Sequence, residues 1–277
     1  MRAVLFNNYV NGINGSVLDV LDYYITMYKF NKSIKMIFIN FTKEFQKIIF
    51  NLIDDRYELN GLDIKKNIIG IKRRDLVFHE FDRLLIFDYG TIRAVKGLVR
   101  LKNENSRLVI ISELYTDEDQ YTINKSLYPE GCVQYYGEMP FVYKDNDYII
   151  KHLLKNLKTI KQVNSGIFVN SPRNNDYSFL KEIELPDKPL IYKTDSHKDN
   201  LFELFDTYLY YHANTYFDPR PRLFAECYYY GKDIIYHNIH GIKDGSYYRY
   251  KDIVNNGIEH RHLDENDEII QIFVEEY

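Results

Sequence analysis

The sequence predicts an α/β protein made of two parallel-sheet halves. Short runs that are apolar at every position alternate with segments of helical period, the pattern of strands covered on both faces. The alternation restarts near residue 165, after the polar stretch KTIKQVNS at 158–165. The length of 277 residues suits two domains of roughly 100–150 residues each. Together these give two Rossmann-like domains facing a cleft, an N-terminal one over 1–160 and a smaller one over 161–277.

In order, RAVLFNNYV (2–10) reads as a buried strand and NGINGS (11–16) as a turn with a cap. Val17, Leu21, Tyr24, Ile25 and Tyr28 then share one helical stripe. KMIFINF (35–41) is the next strand, followed by the amphipathic KEFQKIIFNLIDDRYEL. NIIGIKR (67–73), DRLLIFDYG (82–90), RLVIISELY (107–115) and MPFVY (139–143) are further strands, and YIIKHLLKNLKTI (148–160) is helical. In the second half, SGIFVNSPR (165–173), KPLIYK (188–193), TYLYYHAN (207–214) and KDIIYHN (232–238) are strands. DYSFLKEI, NLFELFD (200–206) and PRLFAECYYYG (221–231) separate them as helices. The acidic HLDENDEIIQ reads as a solvated loop before a last helix or strand.

Composition removes several function classes. Lys and Arg total 36 against 40 Asp and Glu, a net charge of −4, so bulk charge does not coat nucleic acid, although a local basic groove stays open. Cys132 and Cys227 have no CxxC spacing and no Cys/His partner, which excludes a zinc ribbon or a disulfide scaffold. The start lacks a signal-peptide pattern and no apolar run approaches 18 residues. The expectation is a cytoplasmic monomer without a membrane span. The 27 tyrosines invite a base-stacking role through YITMYKF, YLYYHANTY and CYYYG. Their helix and strand spacing equally suits core and rim positions.

Parallel sheets bind ligands beyond the carboxyl ends of their strands. The first strand end offers Gly15 and Ser16, where a small residue and a helix start admit a phosphate. The other reading is a turn with Ser16 as N-cap. The densest constellation is DPRPRLFAECYYYGKDII (218–235), in which Asp218 and Glu226 bracket seven residues and Glu226 heads a helix. A carboxylate there can accept two ribose hydroxyls while ionised. Arg220 and Arg222 beside it could neutralise a leaving diphosphate. The bland alternative is a surface ion-pair network. Arg173, just past the first strand of the second half, could grip the same diphosphate.

This constellation resembles the nucleotide-sugar signature of GT-B glycosyltransferases: acid-x7-Glu, a small residue, three more, then Gly. Cys227 takes the small slot, Gly231 the glycine, and Asp233 the place of a common proline. FDRLLIFDYGTI (81–92) followed by RLVIISELYTDEDQY (107–121) is similar to paired segments of phage DNA β-glucosyltransferases. There, a Thr-Asp dipeptide at a strand end carries the catalytic base. The equivalent here is Ser112-Glu113, so the resemblance makes Glu113 the base. It also makes Arg173, in VNSPRNND, and Arg222 phosphate ligands, and Glu226 the ribose ligand, with Asp218 and Arg220 at the donor site. Asp218 stands where the family has the longer Glu, and Arg222 lies four residues before Glu226 where the family's arginine lies three. The implied donor is a UDP-sugar such as UDP-glucose. The implied acceptor is a hydroxymethylpyrimidine in duplex DNA, flipped from the stack and glucosylated by direct displacement with inversion. Mg or Mn would be an optional companion of the diphosphate, since the architecture does not depend on it.

Lys72, Arg73 and Arg74 are the basic run able to gather along DNA. His212, at a strand end of the second half, could approach the donor, and Asp117, in a polar acidic loop, the acceptor. Asp117-Glu118-Asp119 and Asp145-Asn146-Asp147 mimic DxD metal motifs but read better as solvated loops. Two further readings stand beside this one: the same transfer onto a cell-surface glycan or small molecule, and a non-catalytic nucleotide-binding module. A nicotinamide oxidoreductase lacks its GxGxxG after the first strand.

Overall fold

The computed structural model describes residues 1–8, 12–111, 133–136, 157–169, 177–192, 201–211, 222–237 and 263–275. The chain divides into two compact units: Met1–Asp145 together with His262–Tyr277, and Asn146–Arg261. The last segment of the chain therefore belongs with the first unit, where the sequence placed it in the second domain.

The first unit is built on a parallel sheet of six strands. They are β1 (Arg2–Asn7), β2 (Lys35–Ile39), β3 (Ile68–Ile71), β5 (Arg83–Phe87), β7 (Arg107–Ile111) and β8 (Val133–Tyr136). Their order is β3-β2-β1-β5-β7-β8. Counted along the chain this is 3-2-1-4-5-6, the doubly wound order, with β1 pairing in parallel to both β2 and β5. β4 (Glu80–Phe81) and β6 (Arg100–Leu101) form a separate short parallel ladder.

Strand alternation assigns the two faces. Ala3, Leu5, Ile37, Ile39, Leu84, Ile86, Leu108 and Ile110 look to one side. There Leu76, from the 3-10 turn Arg73–Phe78, and Ile92 and Val95, from helix α3 (Tyr89–Val95), cover them. Val4, Phe6, Met36, Phe38, Leu85 and Phe87 look to the other. Helix α1 (Gly15–Phe30) and helix α2 (Lys43–Arg56) lie over that side, with edge contacts of Phe6 to Phe38 at 6.2 Å and Phe38 to Phe45 at 5.5 Å. Helix α1 is buried nearly all round, from Val20 through Tyr28. Such a helix needs cover on its far side too.

That cover comes from α5 (Leu263–Val274), which packs on α1 and buries Ile269, Ile270 and Phe273. The acidic stretch expected as a loop is thus the first half of a helix. Asp264, Glu265, Asp267 and Glu268 sit toward its positive end, and the apolar stripe behind them supplies the packing. Two arginines hold the other end. Arg2 donates to the Phe273 carbonyl at 2.9 Å and to the Glu275 carbonyl at 2.7 Å. Arg83, buried at the start of β5, donates to Ile272 O at 3.1 Å, Asp82 O at 2.7 Å and Asn105 O at 2.9 Å.

The tyrosines of YITMYKF are core residues. Tyr24 donates to the Ile64 carbonyl at 2.8 Å and Tyr28 to the Asp63 carbonyl at 3.1 Å. Burial pushes the Tyr24 hydroxyl's pKa far up, so it stays a donor.

The second unit holds a parallel sheet of β9 (Ile167–Val169), β10 (Leu190–Tyr192), β11 (Thr207–Tyr211) and β12 (Asp233–His237), in the order β10-β9-β11-β12. Phe168, Phe205, Tyr208 and Cys227 fill one side, with Phe168 and Phe205 stacked at 5.1 Å. Ile167, Val169, Leu209 and Phe179 fill the other. The segments read as helices between these strands are shorter: 3-10 turns at Ser178–Glu182 and Leu201–Glu203, and helix α4 (Arg222–Tyr229). Residues 157–160, read as the end of a helix, are not helical, and MPFVY lies outside the described residues. Among the described residues no helix is long and apolar enough to cross a membrane.

At the amino ends of β9–β11, Asp206 accepts hydrogen bonds from Ser165 at 2.7 Å and Lys188 at 3.0 Å. Partial burial raises the Asp206 carboxyl, but bonds from Ser165, Lys188 and Thr207 and the Lys188 charge outweigh it, lowering the pKa to about 2.

Two outcomes follow for stability. Arg83→Met should cost about 2–3 kcal/mol in urea unfolding by orphaning three carbonyls, with loss of helical signal from α5. A folded-state pKa below the unfolded value makes Asp206 stabilising above about pH 4 and progressively less so toward pH 2. The midpoint of Asp206→Asn should therefore fall below wild type at pH 6 and converge with it near pH 2.

Candidate functional site

In the first unit, connections leave β1 and β5 toward opposite faces of the sheet, so the edge beyond their carboxyl ends is the switch point where such sheets bind ligands. It is polar and tightly tied. The Asn7 amide, at the end of β1, donates to Thr91 Oγ1 at 2.9 Å, and Asn40 Nδ2, past the end of β2, donates to Asn7 Oδ1 at 3.2 Å. Asn7 and Thr91 are buried, as is Asn8. Two residues here take left-handed backbones: Asn40 at φ 61° and Asp88 at φ 74°. Asparagine tolerates this region. Asp88, at φ 74° and ψ 139°, occupies a conformation that is otherwise nearly glycine's own. It is the N-cap residue of α3, one residue past β5.

Gly15 and Ser16 open α1 beside this edge, and a Cβ built on Gly15 meets nothing within 4 Å, so its backbone is approachable. The N-cap is Asn14, not Ser16. Its extended backbone brings Oδ1 to the Val17 amide at 3.0 Å. The edge thus combines neutral amides, hydroxyls, a helix start and the Asp88 carboxylate, a set suited to hydroxyl- or phosphate-bearing ligands.

In the second unit, Glu226 is the fifth residue of α4 rather than its head, because the helix begins at Arg222 right after Pro221. Glu226 is 4% exposed. Its carbonyl receives the Tyr230 amide at 2.9 Å. Cys227 is wholly buried in the Phe168–Phe205 layer, which explains a small side chain in that slot. Burial and the Glu226 charge push its thiol pKa up, so no thiolate forms near neutral pH. Gly231 ends the helix at φ 66°, a left-handed cap that favours glycine. Lys232, lowered in pKa chiefly by burial, donates to the Phe205 carbonyl at 2.9 Å and to Gln162 Oε1.

Lys72, Arg73 and Arg74 are exposed past the end of β3, and Arg73 Nε donates to the Ala94 carbonyl of α3. Of the other expected site residues, Glu113, Asp117, Arg173, His212, Asp218 and Arg220 lie outside the described residues, as does the side chain of Arg222. The structure adds Asn7, Asn40, Asp88 and Thr91. Their sequence signal was a polar residue directly after each apolar run: Asn40 after KMIFI and Asp88 after RLLIF. An open hollow of about 480 Å³ runs along the edge strand β10, lined by Asn164, Ser165, Leu190, Tyr192 and Leu204. Among the described residues, no three His, Cys, Asp or Glu side chains group as metal ligands.

Paired substitutions at the first-unit edge should move stability in opposite directions. Thr91→Val, equal in shape, should cost about 1–3 kcal/mol by leaving the Asn7 amide unsatisfied. Asp88→Gly should gain up to about 1 kcal/mol by relieving the backbone; urea titrations of both check this. No family model matches the chain, and neither the curated proteins nor the solved structures gave a match.

Proposed function

We propose that the chain is a nucleotide-sugar-dependent glycosyltransferase of the GT-B type, with two Rossmann-like domains sharing one reaction. The observation that carries this reading is the fit of the signature's described part, 222–235, to its local structure. Glu226 is a buried carboxylate on the helix after β11, the small slot at Cys227 faces the core, and Gly231 has the left-handed φ a glycine supplies. A carboxylate on that helix can accept two ribose hydroxyls through charge-assisted hydrogen bonds.

In this reading a UDP-sugar such as UDP-glucose binds the second unit. Glu226 takes the ribose, and Arg173 and Arg222 take the diphosphate with Asp218, Arg220 and His212 around it. Gly15 and Ser16 belong to the same donor-binding set. The acceptor hydroxyl oxygen attacks the anomeric carbon and its proton passes to the Glu113 carboxylate. The bond from that carbon to the phosphate oxygen breaks on the opposite side, and UDP departs with the electron pair. Configuration inverts. The acceptor is a hydroxymethylpyrimidine of DNA, approached along Lys72, Arg73 and Arg74 and near Asp117.

Thermal unfolding with UDP, ADP and GDP tests the donor. At about 100 times its dissociation constant UDP adds roughly 2.7 kcal/mol, a rise of very roughly 5–10 °C for this size. Glu226→Gln, which keeps the buried shape, should abolish the rise. No shift with any nucleotide overturns the reading.

A further inference from the structure

We infer that the 3-10 turn Arg73–Phe78 and helix α3 together form a nucleic-acid-binding surface, on which five cations seat the phosphates and Phe78 stacks on an unpaired base. The proposal rests on the DNA acceptor of the proposed function and shares Lys72, Arg73 and Arg74 with it, and it adds Arg93, Lys96 and Phe78 from two elements.

The two elements are joined from below and at their rims. Leu76 of the turn and Ile92 and Val95 of α3 share one buried cluster, and Arg73 Nε donates to the Ala94 carbonyl. Leu76 points inward, and so do Ile92 and Val95. Lys72, Arg73 and Arg74 on one element, and Arg93 and Lys96 at and just past the end of the other, are left exposed. Arg93 and Lys96 are three apart and share a helix face. The facing acids are few. Asp75 lies 3.6 Å from Arg74, Asp88 begins α3, and Glu80, beyond the turn, sits opposite Arg100 in the β4–β6 ladder. In a chain of net charge −4 this is segregated positive charge. A polyanion is the complement of such a surface.

Phe78 decides which polyanion. It is 80% exposed, the most exposed large apolar side chain among the described residues. It stands at the end of the same turn that carries Arg73 and Arg74. A six-residue 3-10 turn spans roughly 12 Å, a reach of about two to four nucleotides of backbone. An aromatic face beside a phosphate track is the arrangement by which proteins bind unpaired bases irrespective of sequence.

The test is fluorescence anisotropy with a labelled twelve-nucleotide single strand of mixed sequence, and with an abasic strand of equal length that keeps every phosphate. Wild type should bind both, the intact strand more tightly. Phe78→Ala should weaken the intact strand roughly ten-fold and leave the abasic strand unchanged. Arg93→Ala with Lys96→Ala should weaken both strands and reduce the salt slope by about 1.4, near 0.7 for each cation on a single strand. All substituted residues are exposed, so circular dichroism should show intact folding. Binding that survives both variants unchanged overturns this surface while leaving a DNA acceptor tenable elsewhere. A Phe78→Ala loss equal on both strands overturns the stacking role. No binding of either strand even at low salt overturns this surface, while the duplex acceptor and the UDP-dependent donor site are read separately.

Discussion

The carboxyl end of α5 is held by two arginines that reach it from the amino ends of β1 and β5. Much of the first unit depends on this clamp. Helix α1 is buried nearly all round, so without α5, which packs on it, part of its surface away from the sheet would meet water. The arginines satisfy carbonyls that a helix end always leaves open and place positive charge at its negative pole. A guanidinium suits the task because it stays charged when buried and spreads its donors over several acceptors. Arg83 binds three separate backbone segments in this way. It fixes the helix, the strand start and the loop before β7 with one side chain.

With the sheet so fixed, its other edge can carry strain. The polar residues past β1, β2 and β5 hold backbones that a free loop would not keep, Asp88 above all. They persist because Asn7, Asn40 and Thr91 are tied to one another over buried strands. Local rules are obeyed in the two cores and broken at this edge, the contrast expected where a protein handles a ligand. The second unit places its unusual group differently, as a carboxylate drawn into the side of a short helix.

Strands were the legible part of the sequence. An apolar run bounded by turns names a buried parallel strand almost by itself, and β1, β2, β3, β5, β7, β9, β10, β11 and β12 all fall within the expected runs. Helices were less legible. DYSFLKEI and NLFELFD have helical spacing but too few residues to repay nucleation, and they close as 3-10 turns. The last helix was hidden by its own acids, because periodicity weighs Asp264 to Glu268 as solvated while the dipole welcomes them. The return of that helix to the first sheet could not be read locally, since its partners are Arg2 and Arg83, far away in the chain. At the candidate site, Glu226 and Gly231 were visible as a spacing, whereas Asn7, Asn40 and Thr91 are unremarkable until folding brings three strand ends together. Phe78 was invisible for the opposite reason. A phenylalanine next to Leu76 and Val77 reads as core, and only the turn's geometry leaves it outside.

Because His262–Tyr277 belongs with the first unit, the second unit is an insertion within it, and the chain passes between them twice. This has a consequence for biosynthesis. At about 5–20 residues per second, a ribosome exposes β1 through β8 well before it makes α5, with the whole second unit translated in between. The nascent first sheet must wait, its α1 uncovered on one side, for some seconds to tens of seconds. The second unit has no such wait, since its four strands are continuous in the chain. The insert can therefore fold first although its host was begun earlier, and a translational pause after residue 261 would prolong the exposure of the host alone.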